Sequence, residues 1–248
     1  MPRQVRYSRC LAISGLFALI FILASCQSGC GSSNSTKKPS QPTAQQLIRQ
    51  AQDAIQQVKS YHFNLTATHL GEPKAYPTFL ITTAEGDIQI PDKLQAKADV
   101  IALGTTILTK IIAISNQQYY TTSFTPGTWT QTTNLLDPRR ITNSRTGVAG
   151  ILGHIEHPTP PVNSNVGGTS CWNINGNLDA RYLSVITAQA TQPGNILNTT
   201  VCIGKSDNLP YLFRMQGIAL HGDTVQTVRT FVLSHFNEPL SITPPQMQ

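Results

Sequence analysis

At Ser60 the spacing of apolar residues along this 248-residue chain changes from a period near 3.6 to a period of 2, and strands dominate the remainder. Before that point Leu47, Ile48, Ala51, Ile55 and Val58 fall on one face of a helix, which Thr43 and Gln46 can open as a capping box. After it, Tyr61, Phe63, Leu65 and Ala67 alternate with His62, Asn64, Thr66 and Thr68. A turn over 71–73 leads to a second strand over 76–90. Strands over 94–103 and 105–115 come next, with Gly104 between them, and two short ones over 117–123 and 128–133 flank Thr125, Pro126 and Gly127. The segment 107–114 is apolar on both faces apart from Thr109 and Lys110, which predicts a strand at the centre of its sheet.

The second half is less regular. Ile141, Val148, Ile151 and Leu152 with three glycines over 137–155 predict one or two short helices, which Pro158 to Pro161 end. A strand over 171–175, a helix over 180–190 capped by Asn177 or Asp179, and strands over 201–204, 210–221 and 224–236 complete the chain. Runs of strands without strict βα alternation exclude a doubly wound parallel sheet. The expected class is α+β: one large curved antiparallel sheet, its concave face covered by helices, with an apolar cavity where coverage is incomplete. Strand parity alone nominates Phe63 and Leu65, Phe79 and Ile81, Ile88 and Ile90, Val100, and Ile107 or Ile111 as cavity residues.

The N-terminus fixes the compartment. Arg3, Arg6 and Arg9 precede an apolar run over 11–23, the pattern of an export signal. That run has 13 residues, whereas a membrane-spanning helix needs about 20. Leu23, Ala24, Ser25 and Cys26 resemble the bacterial lipobox, in which the peptide is cut before the cysteine and the cysteine carries the lipid. Residues 1–25 then form the signal and Cys26 the anchor on the outer face of the cell membrane. Residues 26–42, poor in large apolar side chains, form a flexible tether, and 43–248 form one domain.

Lys and Arg number 18 against 12 Asp and Glu, and loss of the three signal arginines leaves the mature chain at about +3. With 12% charged residues and no basic cluster interleaved with aromatics, nucleic acid is not an expected partner. Of five cysteines, Cys10 leaves with the signal, Cys26 takes the lipid and Cys30 lies in the tether, so Cys171 and Cys202 alone fall within the folded part. Export favours their oxidation, and a bridge closing about 31 residues contributes roughly 3 to 4 kcal/mol in the chain-entropy account. Two strands that neighbour each other across the helix over 180–190 would bring the pair within reach at a non-hydrogen-bonded position. Two buried free thiols are the alternative.

Several separated pieces resemble the LppX and LprG group of actinobacterial lipoproteins, the LppX/LprAFG family. They are the lipobox at Cys26, the run Val58, Lys59, Ser60, Tyr61, His62, Phe63, the segment from Gln118, Tyr119 and Tyr120 to Gly127 and Trp129, and the closing stretch 233–239 with Ile242, Thr243, Pro244 and Pro245. The resemblance implies a half-barrel of antiparallel sheet closed by helices, similar in shape to the LolA and LolB carriers, around an apolar cavity that accepts acyl chains of lipids or glycolipids. It also implies a membrane-anchored carrier, with a lipid ligand and an envelope transporter as partners. Cys202 stands where the family would have an aromatic such as Trp, which suggests a bridge added in this branch.

No chemistry of catalysis accompanies these signals. His154, Glu156 and His157 lie too close in sequence to converge on a metal without a second cluster. Gly147, Gly150 and Gly153 follow no strand, so they lack a phosphate-binding context, and no G-x-S-x-G elbow is present. The expectation is a non-enzymatic carrier without cofactor or metal; the alternative is a scaffolding lipoprotein with a filled core that displays its loops to another envelope protein.

Overall fold

The computed structural model describes residues 41–71, 79–102, 104–133, 135–187 and 191–247. The expected signal, Cys26, Cys10, Cys30 and nearly all of the tether lie outside the described residues. Residues from Gln41 onward form one compact unit.

Helix α1 (Ala44–Gln56) begins at Thr43, whose hydroxyl accepts the Gln46 N–H at 3.2 Å while the Gln46 side chain accepts the Thr43 N–H at 2.9 Å. This reciprocal cap satisfies two backbone donors that a helix start leaves unpaired. Its buried stripe is Ala44, Leu47, Ile48, Ala51 and Ile55.

Among the described residues eleven strands come after it: β1 (Ser60–Thr68), β2 (Leu80–Gln89), β3 (Lys93–Ala102), β4 (Thr105–Ile114), β5 (Gln117–Thr122), β6 (Thr130–Thr132), β7 (Val162–Val166), β8 (Thr169–Asp179), β9 (Ile196–Gly204), β10 (Pro210–Gln216) and β11 (Val228–Ser234). They pair antiparallel in one open sheet of order β6-β5-β4-β3-β2-β1-β11-β10-β9-β8-β7. The sheet is thus two sequence-local meanders, β1 to β6 and β7 to β11, joined by a ladder between the first strand and the last. Helices α2 (Pro138–Thr142) and α3 (Val148–Gly153) connect them, and a 3₁₀ turn (Ala180–Val185) capped by Asp179 joins β8 to β9. α1 packs on α3 and β9, α2 on β3, and α3 on the 3₁₀ turn, so the helices gather over one face. The tight connection of α2 to α3 requires glycine, because a Cβ at Gly147 would overlap the Ile141 carbonyl.

The structure departs from the sequence expectations in several places; β8 and β9, for two, run well beyond the expected 171–175 and 201–204. Strand β4 lies third from an edge, and the central strand is β1. Only Ala113 of β4 is buried and Leu108 is 40% exposed, because no layer among the described residues covers the outer face that Leu108, Ile112 and Ile114 occupy. Strand β7 is an addition, since Val-Asn-Ser-Asn-Val on an exposed edge carries no apolar alternation that would predict it. The element after β8 is a 3₁₀ turn ending at Val185, while 188–190 lie outside the described residues. Strand β10 stops at Gln216 and β11 starts at Val228, short of the expected 221 and 224, and a loop takes up the difference. Strand β2 begins at Leu80, and 72–78 lie outside the described residues.

The loop between β10 and β11 is built around a buried ion pair. Arg229 donates from both terminal nitrogens to the two oxygens of Asp223 at 2.6 Å each, and the side chains are 8% and 0% exposed. The same carboxylate accepts the N–H groups of Ala219 at 2.9 Å and Leu220 at 2.7 Å. Thr224 and Thr227 donate to the His69 carbonyl at 3.1 and 2.9 Å, fastening the loop to the end of β1. Removing the carboxylate would leave a buried guanidinium without its counter-charge. Asp223→Ala is therefore expected to lose about 3 to 5 kcal/mol, read as a lower midpoint of urea unfolding; a midpoint unchanged within error would contradict this.

Cys171 and Cys202 are bonded, with their Cα atoms 5.6 Å apart. Cys171 stands opposite Gly204 and Cys202 opposite Asn173, so the bridge crosses the β8–β9 ladder diagonally, not between directly opposed residues. Sheet twist draws one diagonal closer than the other, which accommodates the bond. Non-reducing peptide mapping is expected to recover the two cysteines in one linked peptide. Recovery of both as alkylated thiols from protein kept oxidised would refute the bridge.

Candidate functional site

Register places apolar side chains of the helix-covered face in rows across the sheet. One row runs through Leu94, Ile88 and Tyr61 on β3, β2 and β1. The next runs from Ile111 on β4 through Ala96, Gly86 and Phe63 to Leu233 on β11. A third runs through Ala98, Ala84 and Leu65 to Phe231 and Phe213. The outer face carries the alternate residues: Lys97 pairs with Glu85 at 2.6 Å, and Asp87 accepts from Gln95 at 2.9 Å and contacts His62 at 2.8 Å. Burial raises the Asp87 carboxyl, but the hydrogen bonds from Gln95 and His62 outweigh it and hold the group below the usual carboxylate range.

Between these rows and the helices lies a cavity of about 110 Å³. The sheet forms its floor, and Leu136, Ile141 on α2, Val148 and Ile151 on α3 and Ile186 form its roof. No charged side chain lines it among the described residues. The floor is low where Ala84, Gly86, Ala96 and Ala98 meet, and β2 and β3 approach so closely there that a Cβ at Gly86 would overlap the Gln95 carbonyl. The space is smaller than the several hundred Å³ of a pocket that encloses a whole drug-sized ligand, because the roof side chains descend close to the floor.

Of the residues nominated from strand parity, Phe63, Leu65, Ile81, Ile88 and Ile111 line this cavity. Ile81 does so because a register shift between Ile81 and Thr83 reverses the parity of β2 at that point. Val100 and Ile107 share a row with Ile81 but lie beyond the roof, so neither is a lining residue. Phe79 is 49% exposed ahead of β2 and also stands outside. Parity gives the face of a strand and not how far along it the helices reach. Sequence reasoning missed the small residues Ala84, Ala96 and Ala98, the contribution of β10 and β11, and the whole roof. The available signal was the alternation of small apolar with charged residues in 84–87 and 96–99.

Ile90 lines a second space, of about 120 Å³, between the end of α1 and the α2–α3 connection. It is walled by Ile55, Gln56, Tyr61, Ile90 and by residues 141–144 with Val148 and Ala149. Tyr61, Ile141 and Val148 belong to both spaces, so they form the partition between them. Tyr61 is 3% exposed, packs its ring against Phe236 with centroids 6.3 Å apart, and has no hydrogen-bond partner for its hydroxyl among the described residues. Burial pushes its phenol well above the ordinary tyrosine range, so it stays a neutral O–H donor. Elsewhere, the His154 ring stacks on Tyr182 with centroids 3.7 Å apart, a packing role remote from any ligand geometry. Among the described residues no group of three His, Cys, Asp or Glu is placed to hold a metal ion.

The match to the family described as LppX_LprAFG lipoprotein covers residues 43–242. The lipoarabinomannan carrier protein LprG of Mycobacterium leprae is 26% identical over 227 residues, 88% of this chain and 89% of that protein. Its namesake in Mycobacterium tuberculosis is 24% identical over 245 residues, 97% of each chain. Among solved structures, LprF from Mycobacterium bovis aligns with a TM-score of 0.66 at 18% identity, over 83% of this chain and 99% of that one. LppX from Mycobacterium tuberculosis aligns at 0.54 with 19% identity, over 79% and 96%. The structural likenesses establish the open antiparallel sheet with few helices as a shared fold. With the sequence match spanning nearly all of the described residues, this chain belongs to the LppX_LprAFG lipoprotein family.

Proposed function

We propose that this protein is a non-catalytic lipid carrier, exported by residues 1–25, anchored through Cys26 on the outer face of the cell membrane, and free to reach the bilayer surface on the tether over 26–42. The domain over 43–248 holds a lipid or glycolipid by an acyl chain. The observation that carries this reading is the cavity lined by aliphatic and aromatic side chains and free of charge. Such a space exchanges one apolar environment for another, so a chain leaving the bilayer avoids most of the roughly 0.8 kcal/mol per CH₂ that transfer into water costs. The naming of two relatives as lipoarabinomannan carriers supports an acylated glycolipid as the ligand class.

Accommodating a long chain requires the roof to rise. Helices α2 and α3 have five and six residues, so Ile141, Val148 and Ile151 sit on short helical elements and can withdraw without breaking the sheet. The small resting volume is the one observation that favours the alternative, a scaffolding lipoprotein whose core is filled.

Native mass spectrometry of the non-acylated protein, with residues 1–25 removed and Cys26→Ala, is expected to show a bound lipid mass after exposure to liposomes. An apo mass with no uptake would decide for the scaffold. Ile111→Trp projects an indole into the cavity and is expected to cut uptake several-fold with the fold intact by circular dichroism. Val100→Trp, outside the roofed part, is expected to leave uptake unchanged.

A further inference from the structure

The antiparallel alternation sends the β5–β6, β8–β9 and β10–β11 connections out of one end of the sheet, opposite the end that holds the β2–β3 turn at Pro91. Each connection bears, within it or where the next strand starts, a large apolar side chain in solvent: Phe124 is 68% exposed, Ile196 54% and Val225 64%. None of the three belongs to the buried core, so packing does not require them. The Asp, Glu, Lys and Arg residues in these connections are Arg181, ion-paired with Asp179 at 2.8 Å, and Asp223, buried against Arg229. The other end differs, because Lys59, Asp92, Lys205, Asp207 and Glu238 lie in its turns. A single exposed apolar residue needs no explanation, but three on separate connections at one charge-poor end form an asymmetry.

We propose that this end of the sheet is the surface on which the domain rests against a lipid bilayer, with Phe124, Ile196 and Val225 entering its interfacial layer; the proposal rests on the reading of Cys26 as the anchor. Gln41, whose side-chain amide donates to the Pro161 carbonyl, follows Cys26 by 15 residues, a reach of roughly 50 Å. A domain tethered that closely meets the bilayer continually, so a few apolar contacts suffice to orient it. Seven strand spacings separate β5 from β9, about 34 Å along the sheet. Contact points so dispersed suit a planar partner, whereas a protein partner is held by a contiguous, well-packed centre. With the charges of these connections paired inside the protein, contact is by apolar insertion and not by attraction to anionic head groups.

The test sediments the non-acylated protein with sucrose-loaded vesicles of phosphatidylcholine. The otherwise unchanged protein is expected to co-sediment, and equally at about 0.1 and about 0.5 M salt. Phe124→Asp and Val225→Asp are each expected to lower the partition coefficient about five- to twentyfold, with the fold intact by circular dichroism because both side chains stand in solvent. Val162→Asp, 54% exposed but on β7 opposite Asn173 and away from this end, should partition as the unsubstituted protein does. Absence of vesicle binding, or an equal loss in Val162→Asp, would overturn the bilayer contact. Binding that disappears at the higher salt would overturn it in favour of adsorption through surface cations such as Arg140 and Arg145. Self-association without vesicle binding would assign the surface to a second copy of this chain. The anchor reading stands or falls separately, on whether labelled palmitate enters the full chain and is lost in Cys26→Ala.

Discussion

An eleven-stranded sheet presents more apolar face than one helix of thirteen residues and two short ones can cover, and the rest of the architecture derives from that shortfall. α1 packs over the β9 side with its stripe of Leu47, Ile48, Ala51 and Ile55, and fully buried side chains such as Ile174, Leu178, Leu197 and Val201 collect there. Over β1 to β4 the cover among the described residues is the α2–α3 segment with Leu136 and Ile186, and beneath it the packing opens. Protein interiors otherwise fill to the density of organic crystals, and the apolar gap departs from that beside a well-packed half.

The floor of the gap is made by subtraction. Ala84, Ala96 and Ala98 occupy positions that in a filled core would carry Leu, Ile or Phe, while their strand neighbours Glu85, Asp87, Lys97 and Asp99 keep the opposite face wet. The alternation satisfies the ordinary rule for a one-sided sheet, and only the size of the inward residues is unusual. The roof is short but tied down: α2 and α3 turn closely at Gly147, α3 packs on α1, and the Gln52 side-chain amide donates to the Ala149 carbonyl at 3.0 Å.

Local features were readable in the sequence. The cap at Thr43 with Gln46, the stripe of α1 and the change of period at Ser60 each depend on residues within a few positions of one another, and each is present. Features that depend on distant parts of the chain were not. Nothing near Tyr61 says that β1 will pair with β11, so Phe213, Phe231 and Leu233 could not be placed on the cavity wall from sequence, and 107–114 looked central because its outer apolar residues gave no sign of facing solvent. The bulge after Ile81 was equally silent; the nomination of both Ile81 and Ile88, of opposite parity, matches the lining only because the bulge sits between them. Edge strand β7 escaped because its composition is that of a loop.

The seam between β1 and β11 also bears on how the chain reaches this state. Each meander is built from contacts between neighbours in sequence and can organise early, but the seam joins residues 62–68 to residues 228–234, the strand pair most distant along the chain. Contacts of such separation form late and slow the search. Until β11 is in place, β1 and β10 are two unpaired edges with apolar faces, and the last strand converts two half-sheets into one wall. Assembly is therefore gated by the C-terminal strand, and a truncated or stalled chain that lacks it would be left aggregation-prone.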